Sequence, residues 1–293
     1  MTTNIVRSPL PWMGGKYYSA ARILAAFPTP DRYDVFVDLF GGAAHVLLQK
    51  PRTHHVEVYN DINQDLVNFW MQCRDHAAAL QERCRTLPYS RALYYQYHES
   101  LYNGEPLDPL ERAARWFYVL RNTFNGRIEP VARGWNASTR CEVRAYHTAL
   151  DLFPLVQERW QHVLIDCRDF AEVLRSYEGK RTLVYADPPY LGVEGYYRQN
   201  DGTIVFPHED HVRLASLLNA TSALVALSYY PHPLLEELYP VEKWYRANWQ
   251  VKKHAQRPAQ VRARATELLL CNYPPRVSHR SLWEALGAEE MYA

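Results

Sequence analysis

Six short apolar runs, spaced by stretches of helical character, constrain this chain more than any other feature. They are "YDVFVDLF" at 33–40, "HVEVYN" at 55–60, "HVLIDC" at 162–167, "TLVYAD" at 182–187, "ALVALSYY" at 223–230 and "ATELLLCNY" at 265–273. Each has the length of a buried strand and is far too short to cross a membrane. Strands that alternate with helices imply an α/β fold, a largely parallel sheet covered on both faces. Ligands of such sheets sit beyond the carboxyl ends of the strands. The unusual residues of the sequence collect at those ends, at 38–42, 60–61, 169–170 and 187–190.

The alternation breaks between about 70 and 155, where the chain turns helical and charged and then, at "IEPVARGWNASTRCEVRAY", loses any clear period. We read residues 71–155 as an inserted, mainly helical subdomain, with 1–70 and 156–293 forming the sheet domain. A chain of 293 residues has room for that arrangement. Its net charge of +1 neither demands nor excludes a polyanionic partner. Five scattered cysteines without a C-x-x-C pair speak against a disulfide framework or a structural zinc, and for a reducing, cytoplasmic setting. No membrane span is expected, and "MTTNIVRSPLPW" lacks the apolar core of a signal peptide.

The strand ending in "LVYADPPY" stops at an acid, two prolines and an aromatic ring. Proline cannot donate to a sheet ladder and fixes its own φ, so Asp187, Pro188, Pro189 and Tyr190 form a stiff, outward strand exit. Such an exit suits a small, flat, polar ligand. In "DLFGGAAHVLL" a glycine pair lies between a strand and a helix expected to begin near Ala43, where the backbone can approach a ligand. Asp61 follows about twenty residues later, placed either to accept ribose hydroxyls, with Ile62 as a wall for an adenine ring, or to cap the next helix. Lys16 in "PWMGGK" either meets a carboxylate of the ligand or stands exposed behind a tight turn. Asp169 and Phe170 in "CRDF" suit an exocyclic amine and a ring face, or else cap a helix.

The ordered set "PWMGGK", "DLFGG", "VYNDIN", "CRDF", "DPPY" and "ELLLCNY" resembles the Dam-like DNA adenine-N6 methyltransferases over residues 8–275. The resemblance implies a Rossmann-like methyltransferase sheet with an inserted target-recognition subdomain, and S-adenosylmethionine as cofactor with no metal. It puts Trp12, Gly14 and Lys16 near the methionine end of that cofactor, and Asp38, Phe40 and Gly42 on the glycine turn. Asp61 then serves the ribose, and Asp169 and Phe170 the adenine. "DPPY" holds the target adenine, which must leave the duplex to reach it, and Tyr190 stacks on the base.

Double-stranded DNA is the implied partner. "RNTFNGR" resembles the recognition segment of the family and makes Arg121, Asn122, Asn125 and Arg127 candidates for phosphate or base-edge contacts. Its continuation, "ARGWNAS", departs from the usual F-N-V-P, so GATC specificity does not carry over with the resemblance. From Arg246 to Arg264 the chain is basic without an acid, which reads as a phosphate-contacting loop that includes Lys252, Lys253 and Arg257. RNA adenine as the acceptor, and a nucleic-acid-binding relative without activity, are the alternatives. Nothing in the sequence speaks to a cognate restriction endonuclease.

Overall fold

The computed structural model describes residues 5–53, 56–123, 134–136, 142–192, 205–252 and 264–276. The strands are β1 (Val35–Asp38), β2 (Val56–Asn60), β3 (Val163–Asp166), β4 (Thr182–Ala186), β5 (Leu224–Tyr229), β6 (Tyr245–Lys252) and β7 (Arg264–Cys271). They form one sheet in the order β3-β2-β1-β4-β5-β7-β6. The first five are mutually parallel, and β7 runs antiparallel to both β5 and β6. The described helices are α1 (Ala20–Ala26), α2 (His45–Gln49), α3 (Gln64–Asp75), α4 (Ala77–Arg85), α5 (Arg91–Tyr102), α6 (Pro109–Asn122), α7 (Glu142–Leu150), α8 (Phe153–Trp160), α9 (Phe170–Ser176), α10 (His208–Ala220) and α11 (Leu234–Leu238).

Strand pleating splits the core in two. Phe36, Tyr59, Leu183 and Tyr185 face one apolar cluster, while Val37, Val58, Val184 and Ala186 face the other. Both faces are thus buried, as a parallel sheet requires. The second cluster takes in Phe170 and Val173 of α9, Leu214 and Leu218 of α10 and Leu235 of α11. The first continues without a break into α3–α8: Trp70 lies 4.9 Å from Trp160, and Phe117 lies 5.2 Å from Phe153 and 5.4 Å from Phe69. The boundaries drawn from sequence at 70/71 and 155/156 fall inside α3 and α8. The helical block and the sheet share one core here.

Local chemistry explains several elements. Asn63 caps α3 by accepting the N–H groups of Asp65 and Leu66, and Asp108 does the same for α6 ahead of Pro109. β6 was not foreseen. The stretch read as a basic loop is a hairpin arm as far as Lys252, with Lys252 opposite Arg264, and Lys253 and Arg257 lie outside the described residues. α2 begins at His45, two residues later than expected, because Ala44 is left-handed (φ 55°).

Topology also fixes where a ligand belongs. From β1 the chain adds β2 and β3 to one side, then returns to β4 and β5 on the other. The carboxyl ends of β1 and β4 therefore flank the switch point, the crevice in which open α/β sheets bind ligands. The glycine turn leaves β1 there, and Asp187 to Tyr190 leave β4.

Candidate active site

Asn60, at the end of β2, organises the rim. Its side-chain N–H groups reach the carbonyls of Leu39 (3.0 Å) and Arg168 (3.1 Å), its Oδ1 accepts the Arg168 N–H (3.0 Å), and its own carbonyl accepts the Gly41 N–H (2.8 Å). One buried amide thus joins the loops that follow β1, β2 and β3. The sequence marks its place at a strand end but not this role, since any β-strand can end in asparagine.

The glycine turn is clamped from both sides. Asp61 accepts the Gly42 N–H (3.0 Å) through one oxygen and the Asn63 N–H (2.9 Å) through the other. The Gly42 carbonyl accepts from Tyr59 Oη (2.7 Å) and Trp70 Nε1 (3.2 Å). Glycine is required at both positions for distinct reasons. A Cβ on Gly41 would stand 2.1 Å from the Tyr59 ring, and Gly42 has φ +50° with the Trp12 indole 2.9 Å from where its Cβ would be. Asp61 is not the cap of α3; it braces the turn and keeps lone pairs for further donors. Burial raises its carboxyl above the ordinary range, against the pull of those N–H groups. Asp38 lies deeper, 2% exposed, and burial together with the charges of Asp187 and Asp61 pushes it well up.

Beyond the turn is an aromatic wall. Phe40 stands 5.7 Å from Phe170 and 5.5 Å, edge-on, from Phe206, while Ile62 projects at 55% exposure from the next strand end. Asp169 caps α9 through the Ala171 N–H (2.9 Å), so the capping alternative is realised. Its other oxygen meets Arg213 of α10 at 2.5 Å, and that guanidinium lies 4.2 Å from the Phe170 ring centroid. No sequence signal marks Arg213, which lies in an ordinary amphipathic helix.

Lys16 is not the exposed lysine of the second reading. It is 7% exposed rather than standing free, and its ammonium contacts Asp187 Oδ2 at 2.8 Å, the Gly14 carbonyl at 2.7 Å and Glu267 Oε1 at 3.6 Å. Asp187 Oδ1 is buried without a hydrogen-bond partner among the described residues. Burial lifts the Asp187 carboxyl to about 6, with Lys16 pulling it down and Glu267 pushing it up. Tyr190, expected to stack on a base, is packed inward at 7% exposure. Its Oη donates to Glu267, and its ring lies 4.6 Å from Tyr230 and 5.4 Å from Tyr229. Glu267 itself, on β7, received no role from the sequence.

The family model of the D12 class N6 adenine-specific DNA methyltransferases matches residues 12–253, from the "PWMGGK" turn to the end of β6. The chain belongs to that family. This D12 methyltransferase is 27% identical over 274 residues to the type II methyltransferase M1.LlaDCHI of Lactococcus lactis subsp. cremoris, covering 89% of this chain and 94% of that one. It is 27% identical to the DNA N-6-adenine-methyltransferase of Escherichia phage P1 over 80% of this chain, and 26% identical to the type II methyltransferase M.FokI of Planomicrobium okeanokoites over 78%. Those two matches span 31% and 35% of the longer relatives.

Membership makes the chain a DNA adenine-N6 methyltransferase, and implies S-adenosylmethionine as methyl donor and DNA as substrate. Among the described residues no group of histidine, cysteine, aspartate and glutamate could hold a metal, and no helix is long and apolar enough to cross a membrane.

Of the expected DNA contacts, the Arg121 guanidinium donates to the carbonyls of Ala145 (2.9 Å) and Pro9 (3.4 Å), and Asn122 is 1% exposed with its amide on the Tyr118 carbonyl. Both side chains are thus engaged within the chain. Asn125 and Arg127 lie outside the described residues. Arg246 likewise donates to the Leu235 and Tyr239 carbonyls.

Proposed function

We propose that the crevice between β1 and β4 transfers a methyl group from S-adenosylmethionine to the exocyclic amine of an adenine turned out of duplex DNA. The observation that carries this reading is the state of Asp187. One oxygen is fixed by Lys16, while the other is buried, with no hydrogen-bond partner among the described residues. An unpaired buried acceptor is costly, about 1–3 kcal/mol, and such a cost is sensible where a substrate N–H completes it. With the Pro188 carbonyl beside it on the stiff strand exit, Asp187 offers two acceptors to one amino group.

Those acceptors bear on the chemistry directly. The adenine amine is a weak nucleophile because its lone pair is delocalised into the ring. Holding both its hydrogens at Asp187 Oδ1 and the Pro188 carbonyl favours a localised pair directed at the methyl donor. As the new N–C bond forms, the nitrogen becomes acidic, and the Asp187 carboxylate takes its surplus proton. Lys16 keeps the carboxylate oriented throughout.

The residues of the rim fit the methyl donor. Its sulfonium and ammonium charges suit the acidic crevice formed by Asp38, Asp61 and Asp187. Asp61 has lone pairs left for ribose hydroxyls, and Ile62, Phe40 and Phe170 supply apolar faces for an adenine ring. Trp12, Gly14 and Gly42 bound the methionine end. When bound, the cofactor supplies an electrophilic methyl group. The inserted helical region, with the basic segment that begins at β6, is the part left to hold DNA.

Incubating the purified chain with methyl-labelled cofactor and either duplex DNA or RNA of mixed sequence tests the proposal. Label recovered as N6-methyladenine from DNA is the expected result, and label in RNA alone would refute it.

A further inference from the structure

Glu267 belongs to no step described above, yet it is the second acid on Lys16. It is 3% exposed on β7, accepts the Tyr190 hydroxyl, and lies 3.6 Å from the same ammonium that holds Asp187 at 2.8 Å. Tyr190 closes the circle, since its ring receives the Lys16 ammonium at 4.8 Å from the centroid. Three segments more than seventy residues apart in sequence thus meet at one buried charge.

We propose that Glu267 is a positioning residue of the methyl-transfer site, which divides the charge of Lys16 with Asp187 and so keeps Asp187 a competent proton acceptor. The reasoning is electrostatic. A carboxylate paired alone with a buried ammonium is a weak base, because the ion pair stabilises its charged form. A second carboxylate on the same ammonium opposes that effect and restores basicity. Glu267 also anchors Tyr190, which fixes the strand exit that carries Asp187. The mechanistic meaning rests on the reading of Asp187 as the acceptor of the adenine amine; the charge coupling itself does not.

Other ionisable groups near Asp187 remain constant in the test. They are Lys16 from the N-terminal turn, Asp38 from β1, Tyr185 from β4, Tyr190 from the strand exit and Tyr230 beyond β5. Glu267→Gln removes the charge and keeps the shape and an acceptor for the Tyr190 hydroxyl.

The experiment is a carboxyl ¹³C NMR titration of the cofactor-free full chain with labelled aspartate, the Asp187 signal being the one missing from Asp187→Asn. In Glu267→Gln the Asp187 midpoint is expected to fall by at least about half a unit from that of the wild type. Glu267→Asp, with its charge retained, is expected to lie between the two. An unchanged or raised midpoint in Glu267→Gln would overturn the proposal and leave Glu267 as packing. Because no methyl transfer is read, this outcome is independent of whether the chain methylates DNA, which the labelling experiment decides separately.

Discussion

At the scale of residues, the role proposed for Asp187 as acceptor of the adenine amine makes its ionisation the quantity that sets when the site works. Its carboxyl is raised to about 6, chiefly by burial, and must be charged to accept the amine hydrogens and the proton. The sign follows: activity is present above that value and is lost as pH falls through it. Single-turnover methylation measured from pH 5 to 9 is expected to show an acid limb near 6, falling about tenfold per unit below it. A limb near 4 would mean that the carboxylate is not desolvated as described. Asp187, Asp61 and Phe170 were readable from sequence as candidates because each stands at a strand end in an ordered motif. The linking role of Asn60, and any part for Glu267 and Arg213, were not. Their roles depend on partners such as Arg168, Lys16 and Asp169, which only the folded sheet brings to them.

Among elements, the parallel strands declared themselves through apolar runs, and the helices of the inserted region through their charge and caps. β6 did not, although its period-2 pattern is present: Ala247 and Trp249 are buried, and Asn248 and Gln250, which alternate with them, are exposed. The density of lysine and arginine masks the alternation. The burial of Lys16 is hidden in the sequence for a different reason. A "GGK" turn looks alike whether its lysine faces solvent or a buried acid, and the acid lies on β4, far along the chain. The glycine turn gives the element-scale test. Gly41→Ala puts a methyl into the fully buried Tyr59 ring and is expected to destabilise by about 2–3 kcal/mol and to weaken cofactor binding. Urea unfolding and calorimetry check both effects, and wild-type stability would show that the turn has slack.

On the scale of the whole molecule, one continuous apolar cluster joins the helical region to the sheet. Trp160 sits at this junction, fully buried, 5.0 Å from Tyr59 and 4.9 Å from Trp70. Trp160→Ala is expected to cost about 3–5 kcal/mol and to lower a single unfolding transition monitored by both tryptophan fluorescence and far-ultraviolet dichroism. Two separated transitions would show instead that the helical region folds apart from the sheet.

The measurement that bears most directly on the account is modification mapping in cells devoid of adenine methylation, expressing either the wild type or Asp187→Asn and sequenced with single-molecule reads that report N6-methyladenine. The expected result is methylation at one recurring sequence with the wild type and none with the variant, both chains being present at equal levels. An unmethylated genome with the wild type, or undiminished methylation with the variant, would contradict the claim that Asp187 drives adenine methylation in DNA.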